Sequence, residues 1–148
     1  MSLDPHNKLA GVHPKLVACV LTAAKACAQP FEVVQGLRTA QEQAALYAQG
    51  RTTPGQVVTW VTTSNHQAKP DGFGHAVDLA ALDPTKAGGI DWSSTKDYDT
   101  IKAAMFAAAP SCGIVLRWGA DWNMNGVARE HGETDQDHFE IHAFLQEV

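Results

Sequence analysis

Nowhere does the 148-residue chain hold the roughly 20 consecutive apolar residues that carry a helix across a bilayer, so a membrane-spanning helix is excluded. Residues 1–12 lack a basic segment followed by an apolar run, and the expectation is therefore cytoplasmic synthesis without a conventional secretory signal. Basic residues are in the minority. Eleven Lys and Arg against 16 Asp and Glu give a net charge of −5 with histidines neutral. That balance argues against broad binding to nucleic acid, which needs a basic face to neutralise phosphates, and against a basic membrane-surface helix. Cysteine is scarce and odd in number. Cys19 and Cys27 fall eight positions apart in one expected helix, a rise of about 12 Å, too far for a disulfide. With Cys112 they are read as three free thiols packed as small apolar groups, and no CxxC spacing offers a thiolate zinc site. Repeats, low-complexity tracts and linkers are also missing, so residues 1–148 are read as one domain.

What remains is ordinary globular composition, 45% hydrophobic and 18% charged, with a mixed local pattern. A helix is expected over 13–28, with Pro14 at a first helical position and Leu16, Val20, Ala23 and Cys27 on one face. A short strand is expected over 31–34. Thr39-Ala40-Gln41-Glu42 is a capping-box pattern and Gly50 stands where a terminating glycine belongs, which places a second helix between them. Residues 56–60 are rich in β-branched side chains and read as a strand. Residues 64–74 read as a loop with a turn at Pro70-Asp71-Gly72. From Ala76 to Ala80 the pattern alternates, sending Val77 and Leu79 to a core and Asp78 to the opposite side between two alanines. A third helix fits 95–109 and ends at Pro110, a strand fits 113–118, and 119–137 is irregular. His138-Phe139-Glu140-Ile141-His142 alternates again, with His138 on the face away from Phe139 and Ile141. Helices and strands follow one another without a βαβ rhythm, so the expected class is α+β with a mainly antiparallel sheet flanked by helices.

Among seven histidines, His6, His13 and His131 fall in expected loops or ends, whereas His66, Asp78 and His138 fall on or beside strands. Two imidazoles and a carboxylate are a three-ligand set suited to catalytic zinc, leaving one coordination position for water. Each residue taken singly also has an ordinary reading, a hydrogen-bonded histidine or a strand carboxylate that pairs or caps.

The flanking residues narrow the choice. Ser64-Asn65-His66 followed by Gly74-His75-Ala76-Val77-Asp78 resembles the Ser-x-His and Gly-x-Ala-x-Asp signature of the VanY-type zinc peptidases. That family comprises D-alanyl-D-alanine carboxypeptidases and phage L-alanyl-D-glutamate endopeptidases. Asp135-Gln136-Asp137-His138-Phe139-Glu140 resembles its second signature. Gly36-Leu37-Arg38-Thr39, with Gln43, Leu46, Tyr47 and Gly50-Arg51-Thr52, and Arg117-Trp118-Gly119-Ala120-Asp121-Trp122 resemble the phage endolysin branch. These matches run in family order from about residue 10 to residue 142.

The resemblance implies a carboxypeptidase or hedgehog-like zinc peptidase fold, with zinc held by His66, Asp78 and His138. It implies that Asp135 is the general base, with Glu133, Asp137 and Glu140 as rivals, and that Arg38 binds substrate or steadies the oxyanion. Ser64 is expected to be structural and to contact substrate, and Trp118 and Trp122 to shape the groove, with a core role as their alternative. The implied activity is hydrolysis of a cell-wall stem peptide at L-Ala–D-Glu by a monomer acting on the wall after its release, in phage or prophage lysis. A D-Ala-D-Ala carboxypeptidase and a non-catalytic zinc-containing wall-binding module are the alternatives. One departure stands out: the family usually places Gly three residues after the first His, whereas Gly74 is eight after His66. It raises His75 as a substitute ligand, against which stands its three-residue spacing from Asp78, which on a continuous strand turns the two to opposite faces.

Overall fold

Capping chemistry decides where the helices begin. A computed structural model of the chain describes residues 3–57 and 64–145. Helix α1 (Pro14–Ala26) starts where His13 accepts a hydrogen bond from the Lys15 amide, with Pro14 contributing its preset φ. Helix α2 (Ala40–Ala48) opens with the full capping box: Thr39 accepts from the Glu42 amide while the Glu42 carboxylate accepts from the Thr39 amide. Helix α3 (Thr95–Ala108) is capped by Ser94 and gives way to a short 3₁₀ turn, Pro110–Cys112.

Among the described residues four strands follow: β1 (Phe31–Gln35), β2 (Ala76–Ala81), β3 (Ile114–Trp118) and β4 (His138–Phe144). They form one antiparallel sheet in the order β1-β2-β4-β3. The α+β class with an antiparallel sheet is therefore observed. The expected strand over 56–60 is not seen at Gln56 and Val57, and its residues 58–60 lie outside the described residues.

One face of the sheet is core. Val33, Val77, Leu79, Leu116 and Phe139 are buried together with Leu16, Val20, Tyr98, Ile101 and Met105 from α1 and α3. The alternation places Ala76, Asp78, His138 and Glu140 on the other face. All three cysteines are free. Cys19 is buried, its thiol pushed up to about 12 by burial, and Cys27 and Cys112 pack against the core edge. No helix among the described residues is long and apolar enough to cross a membrane.

Trp118 corrects an expectation. It shares the core parity of Ile114 and Leu116, is 2% exposed, and stacks on Phe139. Its indole N–H donates to the Gln136 carbonyl at 2.7 Å, and the Arg129 guanidinium lies over its ring at 5.2 Å. The ring therefore belongs to the core and to the anchoring of segment 119–137, and it does not shape the groove. Arg129 extends that anchor, bonding Gln136 within the segment and Asp99 on α3.

Candidate metal centre and groove

Register brings the first two candidate ligands together. Asp78 on β2 and His138 on β4 are directly opposed partners in the ladder, and the small residues Ala76 and Ala80 leave room beside the carboxylate. Asp78 Oδ1 lies 3.2 Å from His138 Nδ1. The third residue arrives from the loop. His66, 2% exposed, places Nε2 at 3.2 Å from the same Asp78 oxygen. One ligand atom from each of His66, Asp78 and His138 falls within 4.8 Å of the others.

Each imidazole is held by its other nitrogen. His66 Nδ1 lies 2.9 Å from the Gly36 carbonyl, which can only accept, so Nδ1 carries the hydrogen and Nε2 turns its lone pair inward. His66 is further fixed by its amide donating to Ser64 Oγ and by its carbonyl accepting from the Arg38 amide. Gly36 has to be glycine: a Cβ there would sit 1.8 Å from the Lys8 carbonyl oxygen. His138 Nε2 donates to Glu140 Oε1 at 2.8 Å, and Glu140 Oε2 accepts from Asn65 Nδ2 at 2.7 Å. Carbonyls and carboxylates that bond the outer ring nitrogen and so fix tautomer and orientation characterise metal-binding histidines.

The donor set fits a small divalent cation. Bond lengths of about 2.0–2.1 Å to a tetrahedral zinc put neighbouring ligand atoms about 3.3 Å apart, and the two separations from Asp78 Oδ1 are 3.2 Å. Electrostatics agree. Burial alone would raise the Asp78 carboxyl, but hydrogen bonds from His138 and His66 more than offset it and hold it below the ordinary carboxylate range. Burial opposes charge on His138, yet Asp78 and Glu140 raise it to about 10. Asp78 and His138, each favouring the other's charged form, leave a site ready to exchange a proton for a metal ion.

His75 is not part of this cluster. Its Nε2 lies 2.7 Å from Asp71 Oδ2, and its ring meets that of His13 edge-on. The lengthened connection closes on itself: Gly72 N–H donates to the Lys69 carbonyl and Lys69 N–H to the Phe73 carbonyl. As a result Gly74 returns beside His66, with room for no Cβ between it and the His66 carbonyl oxygen at 2.8 Å.

The cluster lies in a groove of about 830 Å³ lined by Arg38, Ser64, Asn65, Arg117, Trp122, Glu133, Asp135 and Glu140. Arg38 Nη1 donates to Gln43 Oε1 at 2.7 Å, and its Nε is buried without a partner. Trp122 is 43% exposed and its ring centroid lies 5.7 Å from that of His138. Gly119 lets segment 119–137 approach, since a Cβ there would meet the Asp135 carbonyl oxygen at 2.1 Å.

The four carboxylates weighed as base now differ. Both Glu140 oxygens are engaged by His138 and Asn65. Asp137 does not line the groove; burial, with Asp78 and Asp135 nearby, pushes its carboxyl up to about 8. Glu133 Oε1 accepts from the His131 amide while Oε2 is buried without a partner. Asp135 is exposed and lines the groove. Sequence reading missed the positioning part of Glu140, and it left Arg117 without a role. Glu140 shares the strand parity of His138, and Arg117 alternates with the buried Leu116 and Trp118, which was the available signal.

This fold, with two histidines and a carboxylate gathered at one face of an antiparallel sheet, is shared with known peptidases. It superposes on the Serratia marcescens L-Ala D-Glu endopeptidase ChiX with a TM-score of 0.66 and 30% identity, covering 90% of this chain and 83% of that one. It also shares the fold of the vancomycin-resistance D,D-dipeptidase VanXYg, at a TM-score of 0.51 and 20% identity, over 88% of this chain and 50% of that one. Within that class the chain belongs to the phage L-alanyl-D-glutamate peptidase family, whose description matches residues 1–142. The L-alanyl-D-glutamate peptidase of Escherichia phage T5 is 31% identical over 141 residues, 93% of this chain and 94% of that relative.

Proposed function

We propose that the chain is a zinc-dependent peptidoglycan endopeptidase that hydrolyses the L-Ala–D-Glu bond of cell-wall stem peptides, working as a monomer during phage or prophage lysis. The observation that carries this reading is the convergence of His66, Asp78 and His138 in a groove shared with Arg38 and Asp135, within a chain of this family. His66, Asp78 and His138 would hold the zinc, which when bound supplies Lewis acidity toward water and the scissile carbonyl.

The chain's own groups do the rest. Asp135, the groove-lining acid three residues before His138, takes the proton of the attacking water and returns it to the departing amine. Arg38, aimed by Gln43, faces the negative charge that grows on the carbonyl oxygen. Ser64 keeps His66 in place through its amide, and Trp122 gives the substrate an apolar wall.

Digestion of purified peptidoglycan, with mass spectrometry of the new amino termini, tests the reading. New D-Glu amino termini are expected. Release of terminal D-Ala alone would assign the carboxypeptidase activity, and intact wall in the presence of bound zinc would assign a binding module. Asp135→Asn should keep zinc and fold while turnover falls about 10²–10⁴-fold. Near-normal turnover in that variant moves the base to Glu133.

A further inference from the structure

The sheet order sets two arginines on either side of the candidate metal centre. Asp78 and His138 occupy the two central strands, Arg38 follows β1 at one side, and Arg117 lies on β3 at the other. Arg38 is already engaged through one terminal nitrogen, which bonds Gln43, although its Nε, like that of Arg117, is buried without a partner. Arg117 is held but unspent. Its ladder partner is Glu140, and Nη1 stays 3.8 Å from Glu140 Oε2, within ion-pair distance but beyond hydrogen-bond reach, while that oxygen accepts from Asn65. Its guanidinium stands 5.7 Å from the Trp122 ring, and its Nε is buried with no acceptor. A groove-lining guanidinium kept in place by a carboxylate and an aromatic wall, with 30% of its side chain exposed, can receive an anion with two oxygens through its terminal nitrogens.

The chemistry of the bond says which anion. On the reading proposed above, on which this inference rests, the leaving amine belongs to D-Glu. The stem continues through the side-chain carboxyl of that residue, so its α-carboxylate is free and lies one carbon from the scissile nitrogen. The geometry points to Arg117 as the receptor for this α-carboxylate, and so as a residue that selects D-Glu on the leaving side of the cut. Apart from Arg38 on the β1 side, the charged groups of the groove are the carboxylates Asp78, Glu133, Asp135 and Glu140, which would repel such a group. Without a fixed cation on the β3 side, a substrate carrying that carboxylate would be turned away.

Two synthetic stems test this, L-Ala-D-Glu linked through its side-chain carboxyl to L-Lys-D-Ala, and the same stem with the α-carboxylate replaced by a carboxamide. Hydrogen bonds to charged groups lead us to expect the native protein to favour the carboxylate stem by about 10–100-fold in kcat/KM. Arg117→Met should lower kcat/KM for the carboxylate stem by that factor while changing the carboxamide stem by less than about twofold. Arg117→Lys, which keeps charge without the fork, should retain part of the preference. Zinc content and melting temperature of each variant report folding, and Arg117→Lys decides if Arg117→Met does not fold. The leaving-side product, D-Glu linked through its side-chain carboxyl to L-Lys, should inhibit the native protein more tightly than its α-amide, and Arg117→Lys should narrow that gap. A preference undiminished in either variant, or equal loss on both stems, overturns the assignment. Cleavage of both stems by the native protein without discrimination refutes the role of Arg117 alone. Failure to release any D-Glu amino terminus refutes the endopeptidase reading and this assignment with it.

Discussion

Replacing Glu140 by Gln changes almost nothing in shape and a great deal in the metal centre. The side chain is 3% exposed and sits between two donors, His138 Nε2 at 2.8 Å and Asn65 Nδ2 at 2.7 Å. A carboxylate accepts from both. An amide has one oxygen and one NH₂, so in the same pose one donor must face another donor, and either His138 or Asn65 loses its partner. If the oxygen stays with His138, the imidazole still loses a negative charge that made it a stronger ligand. If it turns to Asn65, the ring loses its orientation as well. Partners of this kind are worth about 10–100-fold in metal affinity, or about 1.4–2.8 kcal/mol. Zinc affinity of Glu140→Gln, measured by competition with a chromophoric chelator, should weaken by that factor, with turnover restored toward normal at saturating zinc. A dissociation constant within twofold of the native value would refute the positioning argument. So would lost turnover at full zinc occupancy, which would place Glu140 against the substrate.

His66→Ala should abolish stoichiometric zinc binding whereas His75→Ala should keep it, because His75 pairs with Asp71 outside the cluster; metal analysis showing the reverse would reassign the ligand. Gly119→Ala should cost about 1–3 kcal/mol in urea unfolding and reduce turnover, since its methyl group would displace the Asp135 carbonyl, and unchanged stability would disprove that close approach. In metal-stripped protein, the contribution of His138 should be full below its ordinary pKa of 6.5 and vanish as pH rises through about 10. The contribution of Asp78, whose pKa is depressed, should be present above 3.8 and vanish as pH falls below it. Asp137, whose carboxyl burial raises to about 8, destabilises the fold progressively above its ordinary pKa of 3.8. Melting temperature without metal should therefore be highest near pH 4 and decline on the alkaline side, and a flat profile from pH 6.5 to 10 would contradict the coupling. Zinc should reverse the trend over the neutral range, because binding requires an unprotonated His138 Nδ1.

The parts of the fold legible in the sequence were those governed by neighbours along the chain. Thr39 and Glu42 announced α2 through a capping box, and the alternation from Ala76 to Ala80 and from His138 to His142 gave each strand its two faces. The pairing of Asp78 with His138 was not legible, because ladder register depends on contacts between distant segments. The same local rule, carried further, would have sorted β3 correctly. Ile114, Leu116 and Trp118 alternate with Val115 and Arg117, which sends the tryptophan inward and the arginine to the groove. Motif adjacency to Trp122 had drawn Trp118 toward the groove instead. The anchoring of His66 by Gly36, thirty residues earlier, also lay beyond local reasoning, since a glycine chosen for its closeness to Lys8 looks like any other glycine in the sequence.

The two faces of β2 and β4 impose an arithmetic on how this chain can change length. Between His66 and Gly74 extra residues are absorbed by a self-closing turn, and both ends stay clipped to the domain. Within β2 a single added or deleted residue would exchange the faces beyond it. The Asp78 carboxylate would turn toward Tyr98, Ile101 and Met105, while Val77 or Leu79 would enter the groove, so stability and metal binding would fail together. Insertions in the connection thus leave the faces of the strands as they are, whereas a single insertion in β2 before Asp78 would have to be absorbed by a bulge to keep the carboxylate in the groove.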